Sequence, residues 1–351
     1  MRILVTGGAG FIGSHLVDAL LAHGHDVAII DDLSSGTRSN LNAQARFYIC
    51  DVADTARTEH IFKVERPEAI FHLAAFVSVR KSEEQPSETA RVNILGSLNI
   101  MRLAHTYGTK RLIVASTGGV MYSDDNLPTS ETSPEQPRSP YAISKSSTDA
   151  FLEASHQTFG LSYVSLRCGN VYGPRQNPHG EAGVIAIFLE KMLSGKQPVI
   201  YGSGEHTRDY VYVDDVVEAY LAALTSDRSG IYNIGTGEET SVNQIFDMLN
   251  VHFDHRFEKQ HISDAPQEQE RSALDASKAS RELGWIPKTK IEDGIAATVT
   301  WALKNMRPNN NTTSTMSFQT WLSTLFIGKT YRMSQTNKLL ESAATQEYQH
   351  P

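Results

Sequence analysis

The string Thr6-Gly7-Gly8-Ala9-Gly10-Phe11-Ile12-Gly13 joins a short β-branched run, Ile3 to Val5, to a stretch of helical period. Gly8, Gly10 and Gly13 satisfy G-x-G-x-x-G, and Gly7, Gly10 and Gly13 satisfy G-x-x-G-x-x-G. A diphosphate held at a helix start needs backbone N–H groups and the positive end of the helix dipole, with no β-carbon in the way. Alone the string is a weak signal, and its place between a strand and a helix strengthens it. Asp31, closing the second β-branched run, is placed to accept hydrogen bonds from both ribose hydroxyls of an adenosine. Its charge repels a 2′-phosphate, so the expected cofactor is NAD rather than NADP. Phe11 and Ile12 complete the turn. Asp51 and Val52, after the third strand, are expected to flank the adenine. Leu73, Ala74 and Ala75, after the fourth, are expected along the diphosphate and ribose.

The rest of the first half repeats the same alternation. Val27 to Ile30, Phe47 to Ile49, Ala69 to Leu73, Leu112 to Ala115 and Tyr163 to Leu166 read as strands. Phe11 to His23, Thr55 to Val64, Pro86 to Tyr107 and Ser139 to Phe159 read as helices. Strands separated by helices require crossovers, hence a parallel sheet covered on both faces. The expected fold is therefore α/β: a Rossmann-type doubly wound parallel sheet with a smaller mixed α/β substrate-binding lobe. Residues 1–167 are read as mainly the NAD-binding domain and 168–307 as mainly the second lobe, interwoven with it. In that lobe, helices Val184 to Leu193, Asp214 to Leu224 and Ser241 to Val251 alternate with strands Val199 to Tyr201 and Gly230 to Ile234. Ser277 to Leu283 and Ile291 to Lys304 supply two last helices, and residues 308–351 are read as a tail.

Charge and composition narrow the partners. Lys plus Arg number 32 against 40 Asp plus Glu, a net charge of -8, which disfavours nucleic acid and anionic membranes. No apolar run has the roughly 18 to 20 residues of a membrane span, and the N-terminus reads as a strand rather than a signal peptide. Two cysteines, Cys50 and Cys168, fit a reducing compartment, so a cytoplasmic location is expected. No H-E-x-x-H or comparable cluster appears among 13 histidines, and no metal is expected.

Tyr141-Ala142-Ile143-Ser144-Lys145 sets a phenol and an ammonium four apart on one helix face. An adjacent cation favours the phenolate, which makes Tyr141 a competent base for a sugar hydroxyl. Ser116 and Thr117 end the fifth strand at the ligand edge, and one of their hydroxyls is expected at the reacting oxygen.

Taken together, the cofactor turn, Asp31, Asn93, Tyr141 to Lys145, Arg167-Cys168-Gly169-Asn170-Val171-Tyr172-Gly173-Pro174 and Arg208 to Asp215 resemble the extended short-chain dehydrogenase/reductases of the NAD-dependent epimerase/dehydratase family, over about residues 1 to 307. The resemblance implies a Thr117-Tyr141-Lys145 catalytic set, with Tyr141 taking the proton from a C4 hydroxyl while hydride passes to NAD and back. It places Lys145 also on the nicotinamide ribose, and adds Asn93 and Cys168 to the cofactor site. For the nucleotide sugar, a UDP-hexose, it implies Ser116, Thr117, Asn170, Val184, Val199, Tyr201, Arg208, Glu268 and Ser272. Arg208 would clamp the diphosphate as a forked donor, the alternative being a surface ion pair with Asp209. Relatives carry a second arginine where Ala265 stands, and Arg271 is the nearby candidate to compensate. Related dehydratases carry an Asp-Glu pair where this chain has Gly118-Gly119, so C4 epimerisation is the simplest chemistry left. Small Ser272, where some relatives place a bulky aromatic, leaves room for an N-acetyl group. Helices 86–107 and 139–159 resemble those forming four-helix homodimer interfaces in the family. A net nucleotide-sugar oxidoreductase or dehydratase, and a non-catalytic NAD-binding regulator, remain as alternatives.

Overall fold

The computed structural model describes residues 1–123, 125–179, 183–263 and 269–306. All lie in one unit, Met1–Pro308. Ala265, Glu268 and the expected tail 308–351 fall outside the described residues.

The first half runs β1 (Arg2–Thr6), α1 (Phe11–Ala22), β2 (Asp26–Asp31), β3 (Arg46–Ile49), α2 (Thr55–Glu65), β4 (Ala69–His72), α3 (Val79–Glu84), α4 (Pro86–Ala90), α5 (Ser97–Thr106), β5 (Arg111–Thr117), α6 (Pro140–Phe159) and β6 (Tyr163–Cys168). The second runs β7 (Asn170–Tyr172), α7 (Val184–Leu193), β8 (Val199–Tyr201), β9 (Thr207–Arg208), β10 (Tyr210–Tyr212), α8 (Val213–Thr225), β11 (Gly230–Ile234), β12 (Thr240–Ser241), α9 (Val242–Val251), β13 (Gln260–Ile262), α10 (Ser277–Leu283) and α11 (Ile291–Asn305).

Seven strands form one parallel sheet in the order β11-β6-β5-β4-β1-β2-β3. Alternate residues of β1 explain its two coats: Ile3 and Val5 pack with Leu16, Val17 and Leu20 of α1 and Tyr220 of α8, whereas Leu4 packs with Phe62 of α2, Ile100 of α5 and Leu152 of α6. The order reverses between β1 and β4, the switch point at whose carboxyl edge ligands bind in doubly wound sheets. A third core, built on Tyr172, Phe188 of α7, Phe246 of α9 and Ile295 of α11, supports the smaller lobe. Three two-stranded pieces, β7 with β10, β9 with β12 and β8 with β13, complete that lobe.

Two expectations need correction. Pro86 to Tyr107 is not one α-helix: Arg91–Gly96 is a π-helical segment between α4 and α5, and α3 precedes them. The wider turn frees the Asn93 carbonyl to accept from Ser97 Oγ at 2.6 Å and Thr148 Oγ1 at 3.0 Å, a feature that apolar periodicity does not register. Strand Gly230 to Ile234, read among the elements of the second lobe, adds to the large sheet beside β6 instead. Its Tyr232 and Ile234 are fully buried in the same core as α8, so the chain returns to the sheet after leaving it.

Candidate active site

The Gly-rich turn follows β1 and touches the end of β4 directly. A β-carbon on Gly7, whose φ is +73°, would lie 2.7 Å from the Ala74 nitrogen, and one on Gly13 would lie 2.1 Å from the Gly7 oxygen. Only glycine lets the backbone close this tightly over the start of α1. Asp31 ends β2 and is buried; its carboxylate accepts from Ala9 N at 3.0 Å and Leu33 N at 2.8 Å. Burial pushes its carboxyl upward, opposed by those two backbone bonds. The turn and the acid thus form one continuous surface, with a cradle that β-carbons would fill. That surface fits a dinucleotide.

Asp51 holds Arg91 at 2.7 Å and caps Ala53 N at 2.8 Å, while Val52 is buried against Gly96. Leu73, Ala74 and Ala75 follow β4, with Ala74 N donating to Thr6 Oγ1 at 3.1 Å. Asn93 is buried. Its amide accepts from Phe76 N at 2.7 Å and donates to Phe76 O at 3.1 Å and Ser144 Oγ at 2.9 Å. Both amide hydrogens are spent on tying the segment after β4 to α6.

Ser139 caps α6 by accepting from Ala142 N at 3.2 Å, and Pro140 opens the helix where its missing N–H costs nothing. That start sets Tyr141 and Lys145 one turn apart beside the ends of β5 and β6. Lys145 is buried; its ammonium donates to Ala115 O at 2.7 Å and lies 6.0 Å from the centre of the Tyr141 ring. Burial lowers Lys145 to about 8, with Asp149 and Cys168 opposing. Tyr141 is half-buried, and its backbone N–H donates to Ser82 Oγ at 3.1 Å. Cys168 is a buried thiol pushed up to about 12 by desolvation, which makes it inert filling beside Lys145.

The two hydroxyls ending β5 separate in role. Ser116 donates to the buried Asp149 carboxylate at 3.1 Å, whereas the Thr117 hydroxyl has no protein partner among the described residues. Gly118 follows under Leu274: a β-carbon there would sit 2.5 Å from Leu274 Cδ1, and one on Gly119 would be 3.1 Å from Asn170 Oδ1.

In the smaller lobe, Asn170 is half-buried on β7 and Val184 opens α7. Val199 and Tyr201 lie on β8, with Tyr201 exposed, and Ser272 is buried. Arg208 lies on β9 and donates to Thr207 O at 2.8 Å. The ion pair considered between Arg208 and Asp209 has no place here. Asp209 is fully buried, and its carboxylate accepts from Thr236 N, Thr236 Oγ1, Gly237 N and Leu274 N at 2.7 to 3.0 Å. Arg271 is held by Glu239 as a forked pair. Among the described residues no three of His, Cys, Asp and Glu gather as metal ligands.

Sequence reasoning passed over His72 and Asp149, and met Asp209 only as an alternative ion-pair partner of Arg208. His72 is sealed beneath the cofactor turn and held near 3 by desolvation and the Lys145 charge. The signal for Asp149 was present, since it continues the four-residue spacing of Tyr141 and Lys145.

A profile described as the NAD dependent epimerase/dehydratase family matches residues 3–235. A protein of Methanocaldococcus jannaschii named putative UDP-glucose 4-epimerase is 44% identical over 308 residues, covering 87% of this chain and 99% of its own. The crystal structure of a UDP-glucose 4-epimerase from Thermotoga maritima, solved with UDP-glucose, has a TM-score of 0.86 at 47% identity, covering 88% of this chain and 100% of that one. A UDP-glucose 4-epimerase of Thermus thermophilus, solved with NAD, has a TM-score of 0.81 at 42% identity, covering 86% and 98%.

Proposed function

The chain belongs to the NAD-dependent epimerase/dehydratase family, and from that premise we propose that it interconverts UDP-glucose and UDP-galactose by inverting C4. The observation carrying this reading is the Lys145 ammonium held beside the Tyr141 ring, at the strand edge where Thr117 presents its hydroxyl. Gly7, Gly10, Phe11, Ile12, Gly13 and Asp31 would hold NAD, with Asp51, Val52 and Leu73 to Ala75 lining its adenosine and diphosphate. When bound, NAD supplies a reversible acceptor for the C4 hydride.

Tyr141 takes the proton of the C4 hydroxyl, and returns it once the sugar has turned over. Thr117 holds the same oxygen by a hydrogen bond, a role that fits a hydroxyl with no protein partner among the described residues. Lys145 stays cationic and favours the phenolate form of Tyr141. Because Gly118 and Gly119 bring no acid or base, nothing at this position moves the second proton that loss of water from a sugar requires. This favours epimerisation over dehydration. Arg208 is assigned to the diphosphate, with Asn170, Val184, Val199, Tyr201 and Ser272 around the remainder of the substrate. Glu268 is carried over only from the resemblance.

Incubation with UDP-galactose, followed by product and by reduced-nicotinamide absorbance, tests this. UDP-glucose should form with no net cofactor reduction. Stoichiometric reduction would mean a net oxidoreductase, and no conversion would leave a binding protein. The small, buried Ser272 favours a second substrate pair, the N-acetylhexosamines. Ser272→Tyr should suppress their turnover more than that of the hexoses, and equal loss would refute this gate.

The family's four-helix homodimer is also proposed here. Leu95, Ile143, Phe151 and Phe159, on the π-helical segment and α6, are exposed apolar residues in the single chain. No helix among the described residues is long and apolar enough to cross a membrane. The two buried, free cysteines support the cytoplasm as the place of action.

A further inference from the structure

We propose that Asp149 is a positioning residue for this reaction: it fixes the end of β5 against α6, and its carboxylate, one helical turn beyond Lys145, supplies the counter-charge for that ammonium. This rests on the reading of Tyr141 and Lys145 given above.

Asp149 is 2% exposed, so its charge is out of water and must be matched by the protein. Its partners come from two strands. Arg167 Nε donates at 2.8 Å and Ser165 Oγ at 2.6 Å from β6, and Ser116 Oγ at 3.1 Å from β5. Burial pushes the carboxyl upward, while Arg167 and the two hydroxyls draw it back toward the ionised form. Arg167, itself 1% exposed, spends its other N–H groups on the Tyr122 hydroxyl at 2.7 Å and on Glu135. Glu135 in turn accepts from Ser146 Oγ on α6 at 2.6 Å. The segment that follows Thr117 is thereby fastened to the same helix that carries Tyr141.

A buried ion pair is a poor device for stability alone, since apolar residues of equal volume do as well or better. Its position suggests another use. Lys145 faces Tyr141 and Asp149 on its own helix, Cys168 on β6 and His72 on β4. His72 and Cys168 are both held neutral by burial. Asp149 is then the standing anion in this set. Without it, desolvation would act on Lys145 with less opposition, and the amine would lose its proton at lower pH. A neutral amine would no longer favour the Tyr141 phenolate.

The test is the pH profile of UDP-galactose turnover for the wild type and for Asp149→Asn, both carrying bound NAD. The variant should lose about tenfold or more in kcat at alkaline pH with KM nearly unchanged, and its alkaline limb should move to lower pH. If Asp149→Asn does not fold, Asp149→Leu with Arg167→Met removes both charges at similar volume, and its alkaline limb should move the same way by a smaller amount, because loss of the Arg167 cation offsets part of the loss of the anion; an unmoved limb would overturn the role. A uniform loss at all pH values, with the alkaline limb in place, would overturn the role. A wild type that converts no UDP-hexose would overturn the assigned reaction and this role with it, which is a distinguishable result.

Discussion

Thr6 Oγ1 and Nδ1 of His72 lie 2.7 Å apart across β1 and β4, the two strands of the switch point, and both side chains are buried. On the other side, Ser97 Oγ gives its hydrogen to Asn93 O at 2.6 Å, so at 2.9 Å it accepts from His72 Nε2. Nδ1 is therefore the acceptor, and Thr6 donates to it. A neutral imidazole with its hydrogen on Nε2 links the strand beneath the cofactor turn to the π-helical segment.

That neutrality has a pH signature. His72 stands at about 3 in the fold against an ordinary 6.5, with desolvation as the main cause. The unfolded chain binds a proton below 6.5 and the folded chain does not, so the contribution is complete above that value and is lost as pH falls toward 3. Between pH 6.5 and 5 the loss is about 2 kcal/mol. Urea unfolding at pH 7.5 and 5 should show His72→Gln to be less acid-sensitive than the wild type by about this amount. Equal sensitivity would mean that His72 is protonated in the fold.

Gly13→Ala should cost several kcal/mol and strip the protein of NAD, because its β-carbon would sit 2.1 Å from the Gly7 oxygen. Gly24→Ala is the control. Gly24 has a positive φ, +75°, but nothing lies within 4 Å of its β-carbon, so its cost is about 1 kcal/mol of backbone strain. Melting temperature and NAD released on denaturation distinguish the two. Similar effects from both would place the cofactor elsewhere.

The sheet was legible because each strand is a short apolar run set off by turn residues, and the cofactor turn because its glycines answer a local need. Tyr141 and Lys145 stood out by their spacing only when set beside the cofactor turn and the hydroxyls that end β5. The different surroundings of Ser116 and Thr117 were not legible, because they depend on Asp149 reaching across from α6. The π-helical segment was hidden for a similar reason: it keeps an apolar pattern and differs in where the Asn93 carbonyl points. The alternative that paired Asp209 with Arg208 at the surface could not register its donors, which lie 27 to 65 residues further along the chain.

Asp209→Asn should raise the KM for UDP-galactose by about tenfold, or 1.4 kcal/mol, and leave bound NAD unchanged. The carboxylate joins the Thr236–Gly237 turn and the Leu274 backbone next to Arg208, and an amide offers only one acceptor oxygen to these donors. Steady-state kinetics checks this. A fall in kcat at constant KM would detach Asp209 from the substrate side.

The account stands on the phenol of Tyr141 acting as the proton acceptor, and the most direct measurement is turnover of UDP-galactose by Tyr141→Phe. The ring keeps its packing and loses one oxygen, so the variant should fold, retain NAD and lose at least about a thousandfold in kcat. A variant that retains a substantial fraction of wild-type turnover would contradict the assignment.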